Sequence, residues 1–342
     1  MKRLQILLLT LVTALVLVGC GTKENETLGN ENATSQNGDG AVENNDSGTT
    51  DTTEGTEETT TTEEGTVVTI EHSKGTTEVP VGAKKAVVFD LSILDTIHAL
   101  GLEAELGLPS GLPSYLESYS QTATAVGSMK EADLEAIFTF EPEVIFISGR
   151  LSDYFDELNE IAPTVYVDLN AATYIEDVKR NVRYVAEIFG STEKAEELIL
   201  TLDQKVADVV ALATTSEEKA LIALTNEGSM SVYGSGSRFG IIHDQLGVKA
   251  ADDTIESSTH GQEASYEYIS EINPDILYVI DRTAAIGGTV LASESLNNDL
   301  VNGTNAAKNG KIVYLDSEIW YLAGGGLNST MKMIEDVAKA FQ

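Results

Sequence analysis

Three arginines are the residues of this chain whose chemistry is easiest to name. Arg150 ends the segment VIFISGR, Arg282 ends ILYVIDR, and Arg238 lies in the glycine-rich stretch YGSGSRFG. A guanidinium presents several donors in a rigid plane, which suits planar or bidentate anions. The chain has a formal net charge of −34. A group of arginines in so acidic a protein predicts a site for an anionic ligand.

The glycines around Arg238 raise the alternative of a phosphate-binding loop. They stand at positions 234, 236 and 240, which matches neither the dinucleotide motif G-x-G-x-x-G nor a P-loop with its Lys-Ser or Lys-Thr pair. A flexible turn with a surface arginine is the plainer interpretation. The spacing therefore disfavours an enzyme that acts on a nucleotide.

A histidine and a tyrosine add a second kind of chemistry. His260 occurs in ESSTHGQEAS. The segment KIVYLDSEIWYLAGGG predicts the last strand, which ends at the carboxyl edge of the sheet in Tyr321 and in Trp320, the only tryptophan. Imidazole and phenolate both bind ferric iron, although packing or simple exposure would also account for these residues. The sequence shows no cluster of His, Asp and Glu that could hold a bare metal ion. A metal ion would therefore have to arrive already chelated.

Catalytic motifs are missing from the sequence. It contains neither a G-x-S-x-G nucleophile elbow nor an H-E-x-x-H helix, and its single cysteine is Cys20, near the N-terminus. We therefore expect a binding protein and not an enzyme.

The N-terminal segment is typical of bacterial lipoproteins. Lys2 and Arg3 precede an apolar run that ends in LVGC, which predicts a signal peptide over 1–20 and lipidation of Cys20. A plain secretory signal or a membrane anchor is the alternative, but the run is short for a span. Residues 21–65 hold twelve acidic residues, one lysine and no aromatic residue, which predicts a disordered acidic tether. The remaining chain is acidic too, which argues against nucleic acid as a partner.

The rest of the chain alternates between strand and helix patterns. VVTIEHSKGTTEVPV predicts a β-hairpin. After it, short apolar runs such as KAVVFD and EVIFIS alternate with helical patterns such as SILDTIHALGLE. Later in the chain, ALIALTNEGSMSVYG predicts one or two strands, followed by the loop that carries Arg238 and by the helix FGIIHDQLG. This alternation is typical of buried parallel strands with crossover helices.

An internal repeat organises these elements into two lobes. Residues 134–150 and 266–282 share the frame E-x-I-x-x-x-x-P-[ED]-[VI]-[IL]-[FY]-[IV], followed by an arginine. Each copy predicts a helix closed by proline and a strand with the arginine just past its end. We expect one lobe over 66–190, a long linking helix over 191–214 and a second lobe over 215–342. Ligands of open parallel sheets bind outside the carboxyl ends of the strands, so the three arginines should converge on an interlobe cleft.

From about Val67 onward, the chain resembles the substrate-binding lipoproteins of bacterial ABC importers for iron complexes. The similarity is strongest to binders of ferric catecholate siderophores of the petrobactin and enterobactin-fragment type. It rests on VGSMKEADLEAIFTFEPEVIFISGR, YGSGSRFGIIHDQLGVKAADD and IWYLAGGG. The resemblance implies an α/β protein of two Rossmann-like lobes joined by a single long helix, the class III periplasmic-binding-protein fold. It also implies no intrinsic cofactor, with ferric iron bound as a siderophore complex.

The resemblance further implies roles for individual residues. The ligand site would contain a basic triad and a neighbouring aromatic residue: Arg150, Arg238, Arg282 and Trp320. His260 and Tyr321 correspond to a pair that completes the coordination of iron in some members of the family.

Partners and location follow from the same resemblance. Glu135 and Glu267 correspond to lobe-top glutamates that contact arginines of the permease, although a carboxylate at a helix N-terminus is also favoured by the helix dipole. The implied protein is a monomer that serves an ABC permease and its ATPase, and Cys20 anchors it to the extracytoplasmic face of the cell membrane. The tethered lipoprotein itself favours a Gram-positive surface, and an inner-membrane lipoprotein that faces a periplasm is the alternative. A haem- or cobalamin-binding protein of the same importer class is the alternative function.

Overall fold

A computed structural model describes residues 66–342 of the chain. The predicted signal peptide with Cys20 (1–20) and the predicted tether (21–65) lie outside the described residues. Within the described part, two six-stranded sheets are each flanked by helices, so the prediction of two α/β lobes is confirmed. No helix within residues 66–342 is long and apolar enough to cross a bilayer.

A hairpin precedes the first lobe, as its alternating pattern predicts. Its antiparallel strands are β1 (Val67–His72) and β2 (Gly75–Pro80). The turn is fixed to the lobe because the N–H and Oγ of Ser73 both donate to the Asp168 carboxylate at 2.6 Å. Ile70 and Val79 are fully buried, so the hairpin is part of the core.

The first lobe contains six strands and four helices. The strands are β3 (Lys85–Val88), β4 (Glu105–Ser110), β5 (Thr124–Ser128), β6 (Glu131–Ala132), β7 (Val144–Ile147) and β8 (Thr164–Tyr166). The helices are α1 (Leu91–Leu100), α2 (Leu134–Phe140), α3 (Phe155–Asn159) and α4 (Tyr174–Phe189). The sheet order is β6-β5-β4-β3-β7-β8, and all pairs are parallel except β5 with β6 at the edge. The carboxyl ends of the parallel strands therefore share one edge.

A single helix, α5 (Thr192–Thr215), leads from the first lobe to the second. Its buried side chains recur at helical spacing and form one stripe: Ala195, Ile199, Leu202, Val209 and Ala213. The stripe packs against α4 and against the C-terminal helix of the chain. This apolar face explains why the long helix is stable without caps at its ends.

The second lobe contains six strands and eight helices, most of them short. The strands are β9 (Lys219–Asn226), β10 (Ser229–Tyr233), β11 (Lys249–Ala250), β12 (Gln262–Glu263), β13 (Ile276–Asp281) and β14 (Ile312–Tyr314). The helices are α6 (Ile241–Asp244), α7 (Tyr266–Ile272), α8 (Arg282–Ala285), α9 (Ala292–Ser295), α10 (Asp299–Asn302), α11 (Asn305–Lys308), α12 (Ser317–Tyr321) and α13 (Leu327–Ala338). The sheet order is β12-β10-β9-β13-β14, with β11 paired to the start of β9.

The second sheet departs from an all-parallel arrangement at β10. Strands β9 and β10 are antiparallel and joined by a two-residue turn in which Glu227 has φ 49° and Gly228 has φ 82°. Positive φ at both positions is the requirement of the tight turn that joins hairpin strands. Arg238 therefore follows an antiparallel strand and lies in the loop between β10 and α6, the strand-to-helix position that its sequence predicts.

The repeated segments have the same local structure in both lobes. The C-cap residue of α2 is Glu141, with φ 53°, and the C-cap residue of α7 is Asn273, with φ 48°. In each copy this left-handed residue is followed by proline, which cannot continue the helix. The strands that follow, β7 and β13, are those that the repeat predicts; each is buried along its whole length and has a parallel neighbour on both sides.

Helix α13 belongs to the second lobe by sequence but packs against α1 of the first. Ser329 N–H donates to the buried carboxylate of Asp95 at 2.9 Å, and Leu327 N–H donates to Thr96 Oγ1 at 3.2 Å. The pKa of Asp95 is raised, because the effect of burial exceeds the opposite effect of the hydrogen bonds from Ser329 and Tyr115. The two lobes are therefore joined at this point as well as through α5.

Candidate ligand-binding cleft

Arg282 is the first residue of α8, directly after the central strand β13. Asp281 holds the start of that helix because its carboxylate accepts from Ala284 N–H at 3.0 Å. The guanidinium of Arg282 donates through Nε to the Tyr321 hydroxyl at 2.6 Å and through Nη1 to Asn226 Oδ1. These two bonds fix the plane of the guanidinium and leave its other N–H groups for a ligand.

Arg238 reaches the same place from the loop between β10 and α6. The loop lies directly on the following segment, since a Cβ added at Gly234 would lie 3.0 Å from the Ile255 carbonyl oxygen. Gly236 has φ +70°, a conformation that glycine adopts without strain. Arg238 Nη2 then donates to the backbone carbonyl of Tyr321 at 2.7 Å.

Tyr321 lies between the two guanidinium groups. It ends helix α12 and not strand β14, which already stops at Tyr314; its placement at a strand end was therefore wrong. The guanidinium carbons of Arg238 and Arg282 lie 4.6 Å and 5.4 Å from the centre of its ring. Such cation–π contacts hold both positive charges close to one phenol.

The two arginines change the acidity of that phenol. Burial alone would raise the pKa of Tyr321, but the hydrogen bond and charge of Arg282, together with the charge of Arg238, outweigh burial and lower it. The pKa of Arg238 is itself lowered, chiefly because the group is desolvated. The phenolate form of Tyr321 is thus more accessible than in an ordinary tyrosine.

Arg150 approaches from the first lobe. It follows β7 in a 3₁₀ turn (Gly149–Tyr154) and is exposed. Its positive charge is among the causes that lower the pKa of Arg238, but Arg150 does not line the cavity that contains Arg238, Arg282 and Tyr321. The structure therefore brings Arg238 and Arg282 together at Tyr321, while the place of Arg150 in the site stays a prediction.

These arginines differ from the other arginines of the described chain. Arg180 and Arg183, on α4, form salt bridges with Asp177 and Glu196. Among residues 66–342, no carboxylate oxygen lies within 4.0 Å of the nitrogens of Arg150, Arg238 or Arg282. In a strongly acidic chain, positive charges left without a carboxylate indicate a site for an external anion.

His260 lines a cavity of 190 Å³ together with Arg238, Arg282 and Tyr321. The side chain is exposed, while its backbone carbonyl accepts from the Tyr233 hydroxyl at 2.9 Å. The next residue, Gly261, lies against the Tyr233 ring, where a Cβ would come within 2.7 Å. This contact fixes the backbone that carries His260 and leaves its imidazole free to face the cavity.

A second and larger cavity, which we call the interlobe groove, has a volume of 470 Å³. It lies between the segment after β8 and the two loops that carry Arg238 and Thr259. These two residues line both cavities. Its other walls include Leu169, Asn170, Tyr174, Ser237, Ser257 and Ser258. At one side, Gln245 Nε2 of the second lobe donates to the Ala172 carbonyl of the first at 3.0 Å.

Trp320 is the predicted ligand residue that the structure does not bring into the cleft. Its side chain is only 2% exposed, and its indole Nε1 donates to the Asp336 carboxylate at 3.1 Å. The ring packs 6.3 Å from that of Phe239. We therefore correct this assignment, because the indole belongs to the core beneath Tyr321.

Asn226 is a site residue that sequence reasoning missed. It is the last residue of β9, accepts from Arg282 Nη1 and lines the 190 Å³ cavity. Its position at the carboxyl end of a central strand was the signal that could have revealed it.

Glu135 and Glu267 lie outside both cavities. Each is exposed in the first turn of its helix, α2 or α7, at equivalent positions of the repeat. Hydrogen bonds from its own N–H and from Ser265 lower the pKa of Glu267. Both carboxylates are therefore displayed to solvent at the start of a helix. Within residues 66–342, no group of three or more His, Cys, Asp and Glu could hold a metal ion.

Comparison with known proteins gives the architecture a family. Residues 87–319 match the periplasmic binding protein family. The chain belongs to this family. One relative is the petrobactin-binding protein YclQ of Bacillus subtilis (strain 168), which is 38% identical over 340 residues, or 98% of each chain.

Solved structures of periplasmic binding proteins align with the chain. The crystal structure of YclQ gives a TM-score of 0.78 at 41% identity and covers 81% of this chain and 99% of its own. PiuA of Streptococcus pneumoniae, an iron-uptake substrate-binding protein, gives 0.76 at 44% identity, covering 80% and 98%. The catecholate-siderophore-binding protein VctP of Vibrio cholerae gives 0.75 at 32% identity, covering 80% and 100%. The chain has the class III fold of this family, as its sequence predicts.

Proposed function

We propose that this protein captures an anionic ferric siderophore of the catecholate type in the interlobe cleft and delivers it to an ABC importer. The observation that carries the proposal is the pair Arg238 and Arg282, which flank Tyr321 with no carboxylate of the described chain in salt-bridge distance. The ligand class is supported by two similar proteins, the petrobactin-binding protein YclQ and the catecholate-siderophore-binding protein VctP.

A catecholate matches this site in shape and in charge. It is a flat ring with two adjacent anionic oxygens, which a guanidinium can meet with two parallel hydrogen bonds or by stacking. The partly desolvated surroundings of Arg238 strengthen such charge-assisted bonds relative to water. Arg150 would add a third positive charge from the opposite lobe.

Ferric iron enters this proposal as cargo and not as a resident cofactor. When the siderophore leaves coordination positions open, Tyr321 and His260 would fill them with a phenolate oxygen and an imidazole nitrogen. The lowered pKa of Tyr321 favours the phenolate, and Arg282 Nε can keep donating to its oxygen. The chain itself would carry out no chemical reaction on the ligand.

Delivery would depend on features outside the cleft. A lipidated Cys20 would hold the protein, as a monomer, at the extracytoplasmic face of the membrane, on a Gram-positive surface. The exposed Glu135 and Glu267 would contact arginines of the permease, one from each lobe, while the ATPase acts on the inner side. Tethering raises the effective concentration of loaded protein near the transporter.

The test is a titration of residues 66–342 with ferric bis- and tris-catecholates, a ferric hydroxamate and haem, followed by quenching of Trp320. The expected result is tight binding of a catecholate complex that weakens at least tenfold in Arg238→Ala. Arg183→Ala is the matched control, because it removes the same charge from a surface ion pair with Glu196. Preferred binding of haem or hydroxamate, indifferent to Arg238→Ala, would contradict the proposal.

A further inference from the structure

The turn between β9 and β10 forms part of the wall of the cavity that contains Arg282. Asn226 and Ser229, the residues on either side of this turn, both line the 190 Å³ cavity. The two residues of the turn itself are Glu227 and Gly228, with φ 49° and φ 82°. The shape of the cavity therefore depends on how this turn is held.

Glutamate is an unfavourable residue at the first position of such a turn. A positive φ brings the Cβ of an ordinary residue close to the following carbonyl oxygen, so glycine, asparagine and aspartate are the usual residues there. Gly228 meets this requirement, and Glu227 does not. A residue in such a conformation persists only where its surroundings compensate for the strain, and residues of this kind cluster at functional sites.

The compensating contacts of Glu227 are made with the segment that follows Arg282. The Glu227 carboxylate accepts from Thr289 N–H at 2.8 Å and from Thr289 Oγ1 at 3.3 Å. Glu227 N–H donates to Oγ1 of the fully buried Thr283 at 2.7 Å. Gly288 lies against the same carboxylate, since a Cβ at this position would clash with Oε1. One residue thus holds both ends of residues 283–289.

These contacts act on the arginine of the site, because Arg282 and Thr283 are the first two residues of α8. The Arg282 guanidinium donates to Asn226 Oδ1, and Asn226 directly precedes Glu227. The side chain of Arg282 is therefore attached to the turn through Asn226, and its backbone through Glu227. Without the Glu227 contacts, α8 could shift relative to the turn, and the donors of Arg282 would change direction.

We infer that Glu227 is a positioning residue of the ligand site, which fixes Arg282 and Asn226 by holding residues 283–289 against the β9–β10 turn. It acts through these residues, since its own carboxylate is directed to Thr289. The inference rests on the proposed function, because it assigns to Glu227 an effect on the affinity for an anionic ferric complex.

Two substitutions of Glu227 separate positioning from charge. Glu227→Gly relieves the strained φ and removes the carboxylate, whereas Glu227→Gln removes the same charge but keeps an oxygen that can accept from Thr289 N–H. Loss of a negative charge near the site should by itself favour an anionic ligand, so charge alone predicts tighter binding in both variants. Positioning predicts weaker binding in Glu227→Gly alone.

Glu141→Gly is the matched control. Glu141 is likewise an exposed glutamate with a positive φ of 53°, but it is the C-cap residue of α2 in the first lobe. Its replacement makes the same change in charge and in backbone freedom in the lobe that does not contain Arg282.

The experiment titrates the protein and its variants with a ferric bis-catecholate, followed by quenching of Trp320. It also measures the urea midpoint and the hydrogen exchange of residues 282–292 without ligand. Affinity should fall about tenfold in Glu227→Gly, because a binding group must be held within about 0.5 Å of its productive position. Glu227→Gln and Glu141→Gly should bind like the wild type. Exchange should be faster in Glu227→Gly alone, with a urea midpoint equal to that of Glu141→Gly.

Wild-type affinity or unchanged exchange in Glu227→Gly, or an equal loss of affinity in Glu227→Gln, would overturn the inference. A urea midpoint in Glu227→Gly far below that of Glu141→Gly would also overturn it, because Glu227 would then stabilise the fold as a whole. Wild-type protein that binds no catecholate complex would overturn the proposed function instead, while the exchange of residues 282–292 would still show whether Glu227 holds this segment.

Discussion

Asn226 accepts a hydrogen bond from Arg282 and, because its amide is uncharged, forms no ion pair with the guanidinium. Asn226→Asp would place a carboxylate at the same position and form an ion pair in a partly buried site. We expect affinity for a ferric catecholate to fall at least tenfold, which corresponds to about 1.4 kcal/mol. Calorimetry measures this loss. Asn302→Asp, on an exposed surface, is the control, and unchanged affinity in Asn226→Asp would show that the charge of Arg282 is not used.

Tyr321 gives the site a dependence on pH. The arginines lower its pKa in the free protein, yet below that pKa its proton must leave before the oxygen can bind iron. Affinity for the ferric complex should therefore rise with pH until the folded pKa of Tyr321 is passed.

The slope of log affinity against pH gives the number of protons released on binding. At pH values below the pKa of Tyr321, this slope should be smaller by one in Tyr321→Phe than in the wild type, because phenylalanine has no proton to release. Titrations over a series of pH values measure both slopes with the same ligand, so protonation of the catechol cancels in the comparison. Identical slopes would mean that Tyr321 does not ionise on binding.

The sequence located the charged part of the site better than its neutral part. Arg282 follows a repeated strand, so the repeat predicted its position in the cleft, while the same role for Arg150 stays a prediction. Trp320 was misplaced because α12 was taken for a strand end. Neighbouring residues on a helix point about 100° apart, so Tyr321 faces the cleft while Trp320 faces the core. Asn226 was missed because an uncharged amide gives no signal in a charge pattern.

At the scale of elements, the antiparallel β9–β10 hairpin was the main feature that the sequence left open. ALIALTNEGSMSVYG was expected to give one or two strands, and the turn that decides between them depends on positive φ at Glu227, a residue that seldom adopts it. Arg238 nevertheless reaches the cleft because its loop packs tightly on residues 255–257. The length and packing of this loop determine where Arg238 lies, and the direction of the preceding strand does not.

The junction of α1 with α13 depends on the small size of Gly326. A Cβ at this position would lie 2.5 Å from the Ser92 carbonyl oxygen and 2.7 Å from Asp95 Cβ. Gly326→Ala should therefore lower the free energy of unfolding by about 1–3 kcal/mol, the usual cost of overpacking. Urea denaturation measures the change. Gly149→Ala is the control, since its nearest atom is 3.8 Å away, and a loss as large there would contradict the junction argument.

The same junction limits how far the lobes can move. Helix α13 packs against α5 and α1, so both lobes share one helical layer. We expect the Cα positions of ligand-free and loaded protein to differ by no more than about 1 Å after superposition. Crystal structures of the two states would measure this, and a wide hinge rotation would show that the α1–α13 junction opens.

At the scale of the whole molecule, the formal net charge of −34 opposes the approach of an anionic ligand to its basic cleft. The Debye length falls from about 30 Å at 0.01 M salt to about 8 Å at 0.15 M, so added salt screens the distant acids more than the nearby arginines. We expect the association rate constant of an anionic ferric complex to rise over this range, while its dissociation rate stays nearly constant. Stopped-flow quenching of Trp320 measures both, and an association rate that falls with salt would mean that local attraction dominates the approach.

Arg150 and Arg282 are equivalent in the repeat, yet they are restrained to different degrees. The guanidinium of Arg282 already has two hydrogen-bond partners, whereas Arg150 is exposed and its side chain has none among residues 66–342. Ordering such a side chain on binding costs about 0.5–1.5 kcal/mol of conformational entropy. The side chain of Arg282 is already ordered in the folded protein, so it loses less entropy on binding. Under the proposed function, the second lobe would be the preformed half of the receptor, and Arg150 of the first lobe would become ordered only when the ligand binds. Release at the membrane would then begin with the loss of Arg150 from the complex, so the duplicated halves would differ in when they hold the ligand.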